Sequence, residues 1–174
     1  MKRFLIVVDM QKDFVDGALG TPEAVAIVPA VCERIRSFDG EIIVTYDTHP
    51  DTYLDTAEGK KLPVVHCVKG TAGWQLDDAV ASALATREWT AVEKPTFGSV
   101  ELPELIAARV GEESFDVTLI GLCTDICVVS NALLLKAHFP EVAVAVEGDL
   151  CAGVTPETHA AALQTMRMCQ IDVK

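Results

Sequence analysis

A chain of 174 residues that is half hydrophobic and only 23% charged can bury roughly 70% of its unfolded surface as one domain, which excludes disorder. Its formal net charge of −12 excludes nucleic acid as a partner, because phosphate binding needs clustered Lys and Arg. No apolar run approaches the ~20 residues of a membrane span. The six cysteines at 32, 67, 123, 127, 151 and 169 lack paired CxxC spacing for zinc, and without signs of secretion they predict reduced thiols in a cytoplasmic protein.

The chain opens on MKRFLIVVDM, whose five-residue apolar run ends at Asp9 with no small-residue cleavage site; this predicts a first strand over Phe4–Val8, not a signal peptide. Further β-branched runs predict strands at Glu41–Tyr46, Trp89–Glu93, Asp116–Ile120, Val142–Val146 and a short one near Ile171–Val173. Between them the spacing predicts helices over Pro22–Ser37, Leu76–Ala85, Leu102–Val110, Asp125–Ala137 and Pro156–Met168. Thr155 is placed to cap the last helix, with Pro156 at its first position, and Thr124 to cap the one before. Runs such as LIVV and VAVAV, with no polar alternation, suit strands covered on both faces. The alternation of strand and helix over 1–174 predicts a single α/β domain, a three-layer doubly wound open sheet of six mainly parallel strands with helices on both faces. Such sheets bind ligands beyond the carboxyl ends of their strands.

Three of those ends carry reactive groups. Asp9 follows LIVV, Lys94 follows TAVE, and LIGLCTDIC carries Cys127 into the first turn of a helix. Singly, each has an ordinary reading: a turn acid, a solvated lysine, a buried thiol. Together they make an acyl-transfer set. Helix-terminal amides and a nearby ammonium lower a thiol pKa, and Asp9 can take the proton. Amides near Cys123 and Cys127 can hold a developing oxyanion. Cys123 competes as nucleophile, but it precedes the helix and fits better in the turn. A second cluster, Asp47, His49, Glu58 and His66, offers carboxylates and imidazoles suited to Zn, Fe or Mn. His49 and His66 are equally readable as loop residues making ordinary hydrogen bonds.

The segments IVVDMQKDF, YDTHP, LPVVHCVKGTAGW, EKPTFGS and LIGLCTDICVVSNA, in that order, resemble the isochorismatase-like cysteine hydrolases, the superfamily that includes nicotinamidases. The resemblance implies a six-stranded parallel sheet in the order 3-2-1-4-5-6. It implies Asp9 as general base, Lys94 as stabiliser of the thiolate, Cys127 as nucleophile, and a cis Leu122–Cys123 peptide at an oxyanion hole formed with Cys127. It also implies a divalent metal ion on Asp47, His49 and His66, and an aromatic substrate pocket of Phe14, Trp74 and Phe97. Many nicotinamidases have a further His where this chain reads PDTYLDTAEGKK, and Glu58 looks like a variant fourth ligand. EKPTFGS also departs from the usual segment.

The activity this implies is hydrolysis of a small amide, nicotinamide to nicotinate and ammonia, through a thioester. Alternatives are another small amide, a carbamoyl compound, a ureide or isochorismate, and a non-catalytic binding member. Isochorismate cleavage breaks a vinyl ether and needs no thiol, so the intact triad favours amide chemistry. Apolar helix faces in such folds predict a homo-oligomer.

Overall fold

The computed structural model describes residues 1–174. Six parallel strands form one sheet in the order β3-β2-β1-β4-β5-β6. These are β1 (Lys2–Val8), β2 (Glu41–Asp47), β3 (Trp89–Lys94), β4 (Phe115–Leu122), β5 (Ala143–Ala152) and β6 (Asp172–Val173).

The first strand shows why the sheet lies in the middle. In β1, Leu5 and Val7 pack into one core cluster with residues of α2 (Pro22–Ser37) and α4 (Asp78–Leu84). Phe4, Ile6 and Val8 face the other way, into a second cluster with α5 (Glu101–Val110), α6 (Val129–His138) and α7 (Pro156–Met168). Side chains of a strand alternate between faces, so an unbroken apolar run must be covered twice. That is the three-layer arrangement predicted from the sequence.

The strand order reverses between β1 and β4, which pair in parallel from Lys2↔Phe115 to Val8↔Gly121. The crevice at that switch point is where such a sheet takes ligands. Close approach there depends on Gly121, at φ 113°, because a Cβ on it would stand 2.2 Å from the Val8 carbonyl oxygen.

Most predicted elements form, with shifted ends. The last helix is capped as expected: the Thr155 hydroxyl accepts from the Thr158 amide and Pro156 occupies the first turn. The cap expected of Thr124 does not form. The chain leaves β4 through a π-turn over Thr124–Val128, and the Cys123 carbonyl accepts from the amides of Ile126 and Val128 (3.1 and 3.0 Å). The Thr124 hydroxyl pairs with His159 Nδ1 instead, at 2.8 Å. Strand β5 continues past Val146 to Ala152 across a register shift against β4. Short helices α1 (Lys12–Val15) and α3 (Ala57–Lys61), with a 3-10 turn at Tyr53–Asp55, were not predicted. No helix is long and apolar enough to cross a membrane, and all six cysteines are free.

Candidate active site and metal centre

Strands β1, β3 and β4 deliver Asp9, Lys94 and Cys127, the candidate acyl-transfer set, to one point. Asp9, just past β1, adopts a left-handed backbone (φ 46°), a conformation Asp tolerates better than most side chains. Its Oδ2 lies 2.6 Å from Lys94 Nζ, and both side chains are completely buried. The Lys94 ammonium also reaches Cys127 Sγ at 3.4 Å and the Thr96 carbonyl at 3.2 Å. The buried ion pair with Lys94 is the contact that balances the charge of Asp9 Oδ2. The other oxygen is fixed by a residue the sequence did not single out. The Thr45 hydroxyl of β2 donates to Asp9 Oδ1 at 2.6 Å and accepts from the Asp9 amide at 3.2 Å.

Burial sets the protonation states. It pushes the Asp9 carboxyl up, with the Lys94 ammonium opposing. It also pushes the Cys127 thiol well above its ordinary value, reinforced by Asp9 and opposed by Lys94. The expected depression of this thiol pKa is therefore overturned, because desolvation and the carboxylate outweigh the ammonium. For Lys94 burial works against the charge, but the carboxylates of Asp9 and Asp47 hold it protonated. At rest the cluster is a carboxylate–ammonium pair beside a neutral thiol.

The Leu122–Cys123 peptide is cis, as the resemblance implies. The Cys123 amide has no acceptor within the protein, so it is available to an incoming oxygen. The Cys123 thiol is pushed up to about 12 by burial first and then by Asp125. It lacks a contact with Lys94 of the kind Cys127 makes, which leaves Cys127 the better nucleophile.

The second cluster also assembles. Asp47, His49 and His66 are buried, and their ligating atoms lie within 4.8 Å of one another. Asp47 Oδ2 is 2.9 Å from His49 Nε2 and 3.5 Å from His66 Nε2. Glu58 stands at the edge, its Oε1 3.7 and 3.8 Å from the same two nitrogens. His66 Nδ1 faces the Val64 carbonyl at 2.7 Å, and a proton shared there leaves Nε2 free to ligate, the orientation metal-bound imidazoles favour. One carboxylate and two imidazoles on a buried point, with a second carboxylate at its edge, fit a divalent cation of the zinc type. Within the protein alone, burial raises the Asp47 carboxyl but hydrogen bonds from both imidazoles and the charge of Lys94 bring it well below the usual range.

Two supports of this cluster were not read from the sequence. Gln11 is fully buried. Its side-chain amide donates to the Asp47 carbonyl at 2.9 Å and accepts from the Asp47 amide at 2.8 Å, locking that backbone from both sides. Tyr53 packs on both imidazoles, with centroids 4.7 Å from His49 and 4.9 Å from His66.

The cavity over the thiol is small, about 40 Å³, and is lined by Phe14, Leu62, Phe97, Ile126 and Cys127 among others. It shares Glu58, Leu62, Phe97 and Ile126 with an outer vestibule of about 660 Å³. Phe14 and Phe97 both border the cavity over the thiol. Trp74 does not. Its indole donates to the Thr48 hydroxyl at 2.9 Å, its ring packs on Tyr46 at 5.2 Å, and it lines a separate depression with Leu76 and Trp89. The assignment of Trp74 to the substrate pocket is corrected accordingly.

Known proteins share this architecture. The model of the isochorismatase domain matches residues 3–173. The nicotinamidase/pyrazinamidase of Mycobacterium tuberculosis is 28% identical, over 98% of this chain and 97% of that protein. A 29% match to the nicotinamidase of Saccharomyces cerevisiae spans 52% of this chain and 55% of that protein. Among solved structures, the nicotinamidase of Bacillus subtilis aligns with a TM-score of 0.83 at 25% identity, covering 99% of each chain. The pyrazinamidase of Pyrococcus horikoshii, solved in complex with zinc, aligns at 0.81 and 28% identity, covering 100% of this chain and 99% of that one. The chain belongs to the isochorismatase family, as one of its nicotinamidase-like members.

Proposed function

We propose that this protein hydrolyses nicotinamide to nicotinate and ammonia through a thioester on Cys127. The observation that carries the reading is the buried contact set Asp9–Lys94–Cys127 placed beside the acid–imidazole cluster of Asp47, His49 and His66. The M. tuberculosis relative, a nicotinamidase/pyrazinamidase that matches along nearly the whole chain, supports a pyridine or pyrazine amide as substrate.

The proton path follows from the resting state. Asp9 takes the Cys127 proton as sulfur attacks the amide carbon, and the thiolate forms 3.4 Å from the Lys94 ammonium. The Cys123 amide, without an acceptor of its own, donates to the developing oxyanion. Asp9 returns the proton to the departing nitrogen, which leaves as ammonia. A water then loses its proton to Asp9 and attacks the thioester, and the released sulfur recovers that proton. A divalent ion held by Asp47, His49 and His66, with Glu58 as a further ligand, would supply Lewis acidity toward a ring nitrogen. A cavity of about 40 Å³ holds little more than one water, so a ring would also need room from the adjoining vestibule of about 660 Å³.

The test is ammonia release from nicotinamide by purified protein, before and after chelation, with the Cys127→Ala variant alongside. Release that needs both thiol and metal supports the reading. A Cys127→Ala variant that keeps near-normal turnover would end the covalent scheme, and inert zinc-loaded protein would redirect the substrate search to ureides and other small amides.

A further inference from the structure

We infer that Asn131 is a positioning residue that ties the nucleophile to the opposite wall of its own pocket. Asn131 lies in α6, is fully buried, and its amide spends its bonds on two different segments. Its Nδ2 donates to the Cys127 carbonyl at 2.8 Å and to the Phe97 carbonyl at 3.3 Å. Its Oδ1 accepts from the Ser99 amide at 2.9 Å. Carbonyls on one side and an amide on the other fix which way the group points.

The segment it holds is the one that follows Lys94. That segment supplies the Thr96 carbonyl that receives the Lys94 ammonium at 3.2 Å, and Phe97, which walls the cavity over the thiol. At Gly98 it runs close to α6, where a Cβ would meet Leu134 Cδ1 at 2.5 Å and Ser130 Cβ at 3.3 Å. On its other side Asn131 holds the π-turn. Two consecutive side chains bond the carbonyls of this turn: Ser130 Oγ donates to the Ile126 carbonyl at 2.6 Å, and Asn131 Nδ2 to that of Cys127 at 2.8 Å. One amide thus sets where Cys127 sits relative to Phe97 and the Lys94 loop.

The two halves of this role separate by substitution. Asn131→Ala removes both ties. Asn131→Ser restores the bond to the Cys127 carbonyl, as Ser130 already makes to Ile126 four residues back, but cannot reach Ser99 or Phe97. The kinetic half rests on amide hydrolysis at Cys127; the access half does not. Expected for Asn131→Ala is a fall in kcat on nicotinamide of about 30-fold or more, since misplacing a reacting group by an ångström costs on the order of 100-fold. Asn131→Ser is expected to recover kcat to within about threefold of wild type while KM stays raised, the pocket wall being untethered. In both variants iodoacetamide should alkylate Cys127 several-fold faster, mapped by mass spectrometry, because Phe97 no longer closes the cavity. The inference is overturned if Asn131→Ala keeps kcat within twofold of wild type, if Asn131→Ser is no faster than Asn131→Ala, or if alkylation is unchanged in both. Wild-type protein inert toward nicotinamide, with the alkylation difference intact, would sink the proposed substrate and leave the tether standing. Should the Ala variant not fold, the Ser variant alone still reads KM and alkylation.

Discussion

Replacing Lys94 with Met leaves a carboxylate in the core with no counter-charge. Lys94 Nζ stands 2.6 Å from Asp9 Oδ2, and neither side chain has any solvent exposure. Removing one partner of a buried ion pair costs about 3–5 kcal/mol, most of it from stranding the survivor. Met occupies a similar volume, so little of the loss comes from a cavity. For a chain of this length the loss should lower the melting temperature by about 6–20 °C. The companion variant Asp9→Asn/Lys94→Met removes both charges and keeps an oxygen for the Thr45 hydroxyl that donates to Asp9 Oδ1. Neutralising both members of a buried pair is often free of net cost, so the double variant should regain most of the stability lost by Lys94→Met while remaining inactive. Urea unfolding of the wild type, both single variants and the double closes the cycle. A Lys94→Met variant within about 1 kcal/mol of wild type, or a double variant no more stable than Lys94→Met, would refute the claim that the pair is held by mutual neutralisation in a dry core.

Thr45→Val deletes the 2.6 Å hydrogen bond to Asp9 Oδ1 and should cost about 1.5–3 kcal/mol, the range for bonds to charged groups, read by chemical denaturation, with a loss of kcat larger than any change in KM. Gln11→Leu unlocks the backbone of Asp47 and should weaken zinc binding about 10–100-fold, as loss of outer support does at metal sites; competition with a chromophoric chelator measures it. Glu58→Gln should weaken zinc less than His66→Ala in the same assay, because Glu58 stands at the partly exposed edge of the cluster, 3.7 Å from the nearer imidazole nitrogen, whereas His66 lies in its buried centre. Equal losses would place Glu58 in the inner shell.

What the sequence discloses here is local, and what it conceals is contact between distant segments. The strand ends were legible because LIVV and its counterparts stop abruptly at Asp9, Asp47 and Lys94, and a doubly wound sheet gathers such ends on one edge. Thr45 was not legible, since within β2 it reads as one more β-branched residue; its bond to Asp9 exists only because β1 and β2 are neighbours in parallel register. Gln11 and Asn131 are opaque for the same reason: each acts through a partner carbonyl 30-odd residues away, Asp47 and Phe97 respectively. Trp74 failed in the opposite direction. An aromatic near a ligand loop resembles a pocket wall, but the Thr48 hydroxyl and the Tyr46 ring turn it away. Thr124 has the right residue type for a cap, yet the turn it opens is a π-turn whose geometry satisfies the first amides from Cys123.

The raised thiol pKa bears directly on the proposed mechanism, and the burial that causes it acts on Asp9 as well. Taking either Asp9 or Cys127 to its anion in isolation is penalised by desolvation, and both acids are shifted up for that reason before any other. Moving the proton from Cys127 to Asp9 creates no new buried charge; it shifts one negative charge between two groups that both lie against the same ammonium, 2.6 Å away at Asp9 and 3.4 Å away at Cys127. Burial opposes both anions and so offsets in part, but a thiol is by nature a weaker acid than a carboxyl by about five pKa units, and the transfer stays uphill in the resting site. The Lys94 ammonium faces the negative charge on whichever of the two groups carries it, which lowers the cost of the exchange without removing it. On the proposed mechanism a thiolate would therefore form only as a carbonyl carbon arrives to receive it, and the resting Cys127 stays a neutral, buried thiol.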